Sequence, residues 1–240
     1  CVNCPGNPGA WKRHAVYHKA VKVQRNRMED GGVAQQRNRE TAEQDARIAA
    51  QSGDAYEELV ADGSRHCSKQ DYRRAARAFR EAITLRPDGP EAYFNLGAML
   101  SFSAHDVEAS QRFLEAKERC PVGSEFWARA TAAAFDLLML KECAEVAKPG
   151  WWNDEELKAL SARVVRAAAP DDGQANEMRG AVLGGQCGGA WEAGPRSAAE
   201  LKEAATHFER AAALCPAPEG KAELAEDADW CRGEAEAMQQ

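Results

Sequence analysis

The feature that most limits what this chain can fold into is a self-similarity at a displacement of 34 residues. Ala75, Phe79, Ala82 and Pro87 are answered by Ala109, Phe113, Ala116 and Pro121. The companion segment agrees: Tyr93, Leu96 and Gly97 have Leu59, Asp62 and Gly63 one period earlier, and Asp71-Tyr72 lies where His105-Asp106 lies later. Each unit therefore reads as a helix, a short turn and a second helix. A helical pair of this length cannot bury its apolar face alone, but stacking the next pair on it gives a continuous core. Gly63 and Gly97 on the first helix, and the alanines on the second, are expected where two backbones approach, with Phe79 and Phe113 beside them. Pro87 and Pro121 cannot extend the second helix and so turn the chain into the next unit.

Composition extends this reading to the rest of the 240 residues. The hydrophobic fraction of 44% is dominated by alanine, aromatics are 7%, and runs of Val, Ile and Thr are nearly absent, so an all-α protein is expected. No window approaches the roughly 20 apolar residues that span a bilayer, and the start lacks the apolar core of a secretory signal. A soluble chain of the cytoplasm is expected, with the nucleus as the alternative and no membrane partner. A first residue of Cys1 in place of Met reads as a fragment, a processed chain or an incomplete gene model. Six of the eight cysteines (Cys67, Cys120, Cys143, Cys187, Cys215, Cys231) are scattered singly, which points to reduced, half-buried thiols and not to a disulfide framework.

With these residues in view, positions 56–123 resemble two successive tetratricopeptide repeats. The first helix of that family carries an aromatic residue or Leu and then Leu-Gly; the second carries Ala, an aromatic, Ala and a closing Pro. Asp62 departs from the pattern, since Leu is usual there. A third unit opens with "SEFWARATAAAFDLL", where Trp127 and Ala130 fall in phase with Tyr93 and Leu96 and Thr131 replaces the glycine. Its second helix is displaced by "KPGWWN", starts at an Asn153 or Asp154 cap and closes at Pro170. A fourth unit runs from "ANEMRGAVL" through the glycine-rich "GGQCGGAWEAGPRS" to a helix in which Ala204, Phe208, Ala211, Leu214 and Pro216 repeat the opening pattern. A last helix carries Leu224, Ala228, Cys231 and Ala235 on one face.

The resemblance implies an all-α, right-handed superhelical solenoid of helix-turn-helix repeats over residues 55–238 with a C-terminal capping helix. Its repeats are expected at about 56–89, 90–123, 124–170 (degenerate) and 171–218 (with the insertion), and its cap at 219–238. A linker and charged helix, 29–54, should pack loosely on the first repeat, after a basic segment 1–28. Trp151, Trp152 and Trp191, in the two insertions, are expected to fold back over helix ends in preference to anchoring a partner.

The same resemblance implies a concave groove, lined by the first helices, that takes a peptide or helix of a protein partner. Its lining would include Glu57, Val60, Glu91, Phe94, Asn95, Phe102, Arg129 and Phe135. Phe94 and Phe102 lie off the packing positions: either they are exposed to a partner, or they touch the neighbouring repeat or the N-terminal segment. The family's carboxylate clamp, which grips acidic chaperone tails, uses Lys, Asn, Asn, Lys and Arg; this chain offers Val60, Ser64, Asn95, Glu125 and Arg129. Glu125 would repel the carboxylate, so chaperone tails are disfavoured.

Cys1, Cys4, His14 and His18 form a C-x2-C and an H-x3-H pair, a set that can close a tetrahedral zinc site. "AWKRHAVYH" also resembles the end of a MYND zinc finger, which would make His14 and His18 ligands, with Cys4 or Cys1 a third. Against zinc stand the missing upstream ligands and a short intervening segment with two prolines and two glycines, so a disordered basic start is the favoured alternative. The net charge of −7 is uneven: Lys12, Arg13, Lys19, Lys22, Arg25 and Arg27 lie in residues 1–28 with no acid, whereas ten acids against four bases follow from Glu200 onward. Such ends can steer partners or be solvated termini, and the acidic remainder argues against nucleic acid.

No phosphate-binding loop or nucleophile elbow occurs, and "GGQCGG" lacks the preceding strand and the cation that nucleotide binding needs. His66, His105 and His207 are expected on solvent-facing or turn positions. The first functional reading is therefore a non-catalytic interaction scaffold with no cofactor beyond an N-terminal zinc. The second is the docking region of a larger MYND- and repeat-containing enzyme such as a methyltransferase.

Overall fold

The structure, a computed structural model, describes residues 32–239. Among them are ten α-helices and no strand. The chain divides between Leu137 and Leu138 into two compact units. That division falls inside the third repeat read from the sequence.

The first unit holds α1 (Gly32–Ser52), α2 (Ala55–Ser68), α3 (Tyr72–Leu85), α4 (Pro90–Phe102), α5 (Asp106–Arg119) and α6 (Glu125–Leu138), whose last residue crosses the division. Each helix from α1 to α4 packs on the next, and α2 also touches α4. The helix starts follow from local chemistry. Asp54 caps α2 by accepting from the Tyr56 amide, and Asp71 caps α3 by accepting from the Arg74 amide. Pro90 occupies the first turn of α4, where a missing N–H is harmless.

The 34-residue period is visible atom by atom in the turns. The amide of Asp71 donates to the His66 carbonyl and that of His105 to the Leu100 carbonyl, both at 2.9 Å. Between them Gln70 and Ala104, also 34 apart, both take φ of 60°. The packing expectation holds equally well: Ala75, Phe79 and Ala82 are buried, as are Ala109, Phe113 and Ala116. A methyl group added to Gly63 would lie 2.5 Å from the Phe79 ring, and one added to Gly97 would lie 3.1 Å from the Phe113 ring. An aromatic ring of the partner helix thus rests on the backbone of each first helix, leaving no room for a side chain at Gly63 and little at Gly97.

The second unit begins with a single 3-10 turn, Lys141–Cys143, followed by α7 (Asp154–Ala167), α8 (Gly173–Gly184), α9 (Ala198–Leu214) and α10 (Pro218–Ala237), each packed on the next. The ring-on-glycine contact recurs here, since a methyl on Gly180 would lie 2.9 Å from the Phe208 ring. Asn153 caps α7, and Ser197 forms a reciprocal capping box with Glu200 at the start of α9. Leu224, Ala228, Cys231 and Ala235 form the buried stripe of the terminal helix α10.

The two insertions close on one another. Trp152 Nε1 donates to the Ala190 carbonyl at 2.8 Å, and Trp191 Nε1 donates to Asp154 Oδ1 at 3.2 Å. The Trp152 and Trp191 rings meet at 84°, 5.9 Å apart, and the Trp151 ring is tilted at 57° to that of Trp152 at 5.6 Å. Arg196 holds the arrangement: its two Nη atoms take Asp154 in a bidentate pair at 2.9 and 2.5 Å and donate to the Gly194 and Val182 carbonyls. Trp152 and Trp191 are buried, in keeping with loop tryptophans that fold back on helix ends. Burial alone would raise the Asp154 pKa, but the hydrogen bonds from Arg196 and Trp191 and the nearby cations outweigh it and hold it at about 2.

His207 corrects the sequence reading. It is buried, with Nδ1 2.9 Å from Asn176 Oδ1. Asn176 Nδ2 donates to the Asp172 carbonyl, so its oxygen faces the imidazole and His207 Nδ1 is the donor. Burial, helped by the charge of Arg179, lowers its pKa.

Candidate functional site

The residues expected to line the groove all lie in the first unit, on α2, α4 and α6, and the structure sorts them into three groups. Those of the α2 end are engaged internally. Arg86 donates to Glu57 at 3.1 Å and to Asp54 at 2.6 Å, while its guanidinium lies 4.0 Å over the Tyr56 ring. Glu91 accepts from the Tyr56 hydroxyl at 3.2 Å; burial, and then the Glu91 charge, push that phenol up to about 12. Val60 is half-buried against the Tyr56–Ala82–Ala92 cluster.

A second group converges where α4 meets α6. Phe94 is half-buried, its ring 5.1 Å from both Phe113 and Phe126, against the Tyr93–Ala116–Ala130 cluster. Phe94 thus touches its own repeat through Phe113 and the next through Phe126, and stays partly exposed. Arg129, exposed, lays its guanidinium 5.1 Å over the Phe94 ring and 5.8 Å over that of Phe126. No carboxylate among the described residues pairs with it. Beside it Asn95 is half-buried, and its amide makes no hydrogen bond to any described residue. Phe126 belongs to this patch and was missed in the sequence, where Trp127 next to it took the packing position.

Phe102 and Phe135 stand apart. Phe102 is half-buried, its ring 5.5 Å from Tyr72 of α3. Phe135 is fully buried, which corrects its assignment to an open lining: in α6 every residue from Ala130 to Leu137 is buried. Cys1, Cys4, His14 and His18 lie outside the described residues. Among the described residues no group of three or more His, Cys, Asp or Glu is placed to hold a metal, and no helix is long and apolar enough to cross a membrane. The six described cysteines are free thiols, and burial raises the pKa of Cys120 to about 11, with Glu91 adding to the effect.

Phe94, Asn95, Phe126 and Arg129 therefore form an aromatic surface carrying one unpaired cation and one unpaired amide. Such a surface can accept an apolar side chain, a carboxylate and a peptide carbonyl together.

Three helix pairs, α2–α3, α4–α5 and α8–α9, each locked by a phenylalanine ring on a glycine, define a helical-repeat protein. Residues 63–100, from the middle of α2 almost to the end of α4, match the family model described as TPR repeat. The matched stretch contains Gly63, Phe79 and Gly97, three of the residues whose contacts fix the helix pairs. No curated protein matches the chain. Repeats of this family mediate contacts with protein partners.

Proposed function

We propose that the chain is a non-catalytic scaffold, and that a segment of a protein partner binds along α4 and α6 on the Phe94–Asn95–Phe126–Arg129 patch. The observation that carries this reading is the pair of unused polar groups. Arg129 is spread over two aromatic rings with no carboxylate partner, and Asn95 is half-buried with its amide unbonded. A half-buried amide that water still reaches can exchange that water for a peptide backbone laid across it. Glu125 stands one turn before Arg129, so the patch favours a segment with a single carboxylate over a multiply acidic tail.

Affinity capture from native extract, comparing the unmodified chain with Arg129→Glu and Asn95→Ala, tests this. Both residues can be changed without opening the core, whereas Phe94→Ala would also destabilise the helix pair. Arg129→Glu is expected to lower partner retention at least 30-fold, as loss of a central anchor does, with helicity unchanged. Retention equal to that of the unmodified chain would place the binding surface elsewhere.

A further inference from the structure

The two insertions do more than pack together: they wall an open cavity of about 790 Å³ on the second unit. Trp152, Trp191 and Pro195 provide its apolar surface, and Lys148, Glu155 and Glu192 lie around it. The charges of this cavity are unequally used. Lys158 is neutralised by Asp154 and by Glu200 at 2.7 Å, and Lys148 spends its ammonium on the Leu138 and Cys143 carbonyls. Glu155 and Glu192 are exposed and have neither ion pair nor hydrogen bond among the described residues. The aromatic wall already accepts a cation, since Lys148 Nζ sits 5.3 Å over the Trp152 ring. The cavity thus has two unpaired carboxylates beside indole rings and no unpaired cation at a carboxylate-binding position.

We propose that this cavity is a docking site for the chain's own basic segment, residues 12–27. That segment supplies what the cavity lacks: Lys12, Arg13, Lys19, Lys22, Arg25 and Arg27, with no acid among them. Tyr17, Val21 and Val23 are interleaved with these cations and offer apolar contact to the same wall. The unit that carries the cavity is strongly acidic, with 19 acids against 11 bases over residues 138–239, so its field draws the segment in. The 31 residues that precede α1 span up to about 100 Å when extended. A tether of this kind gives an effective concentration in the millimolar range, enough to fill a site that would bind the free peptide weakly. Docking neutralises the free carboxylates and covers the tryptophan edges. The bound segment would be released by salt, because exposed charge pairs are screened within about 10 Å at 0.1 M ionic strength and about 3 Å at 1 M.

The test uses the full chain and a water-soluble carbodiimide, which joins an amine to a carboxylate only where the two are in contact. At low salt the monomer should show amide links from Lys12, Lys19 or Lys22 to Glu155 or Glu192 in peptide maps, falling at least fivefold at 1 M salt. Glu155→Gln with Glu192→Gln, two exposed changes that leave the core intact, should abolish those links and speed tryptic cleavage after Arg13 to Arg27 about tenfold. Links to other carboxylates alone, links only between molecules, or tryptic cleavage equally fast in both chains would overturn the proposal. So would an added oligolysine peptide that couples to Glu155 or Glu192 when the tethered segment does not, since the cavity would then serve an external basic partner.

Discussion

A single hydrogen atom in place of a methyl group decides how closely each helix pair approaches. Gly63, Gly97 and Gly180 all lie under phenylalanine rings, with the position a methyl would take 2.5, 3.1 and 2.9 Å from the nearest ring carbon. Phe79, Phe113 and Phe208 are themselves buried and have little room to retreat. Gly63→Ala should therefore cost the most, about 2–3 kcal/mol, and Gly180→Ala somewhat less. In Gly97→Ala the gain of up to ~1 kcal/mol in helix propensity should cancel most of the crowding. Urea unfolding of the three variants checks the order, and equal costs would refute the ring-on-glycine account. Two of these contacts were legible in the sequence because Gly63 and Phe79 stand at the same separation as Gly97 and Phe113. The third was half legible: the period pointed to Phe208, but the glycine-rich insertion moved its partner out of register and hid Gly180. Periodicity also placed His207 at the surface, because the residue that satisfies it there, Asn176, is brought alongside only by the fold.

At the scale of elements, turns and insertions behave differently. Gln70 and Ala104 adopt the same left-handed conformation in equivalent turns, at an intrinsic cost of roughly 1 kcal/mol for a residue with a Cβ. Ala104→Gly removes that cost, and after the extra entropy of glycine in the unfolded chain a net gain of about 0.5 kcal/mol is expected in urea melts. These turns were legible because their residues recur at 34. The insertions were legible only as interruptions. Their tryptophans suggested folding back, but the Arg196–Asp154 pair that fixes them joins residues 42 apart with no periodic signal. Asp154→Asn leaves a deeply buried guanidinium without its counter-charge, at an expected cost of about 3–5 kcal/mol. Tryptophan emission should shift to the red as the loop that carries Trp191, no longer held by the Arg196 pair, loosens. An unshifted spectrum with unchanged stability would mean that the loop is held by its aromatic contacts alone. The groove shows the same division: the resemblance located α4 and α6, but which of their residues were unused depended on partners such as Arg86 for Glu57, visible only in the structure.

For the molecule as a whole, the acidic second unit carries its own pH dependence in two windows. The folded state depresses the pKa of His207, through burial and the charge of Arg179 on α8, with Arg210 on its own helix acting the same way and Glu203 opposing them. A base whose folded pKa lies below its unfolded value is bound by fewer protons in the folded state, so stability rises with pH across that interval. The contribution is complete above the ordinary histidine value of about 6.5 and is lost as pH falls towards the depressed one. Asp154 and Glu200 act lower down. Both are held at about 2 against ordinary values of 3.8 and 4.5, because their bonds to Arg196 and to Lys158 and Ser197 outweigh burial. Their contributions are present above about pH 4.5 and disappear as the solution approaches pH 2. The melting temperature should therefore fall as pH drops through the ordinary histidine value of about 6.5, level off once below the depressed one, and fall again below about 4.5. His207→Gln, which cannot titrate, should flatten the first decline and leave the second in place. A first decline of the same depth in that variant would assign it to another group, and its absence in the unmodified chain would show that the Asn176–His207 pair survives protonation intact.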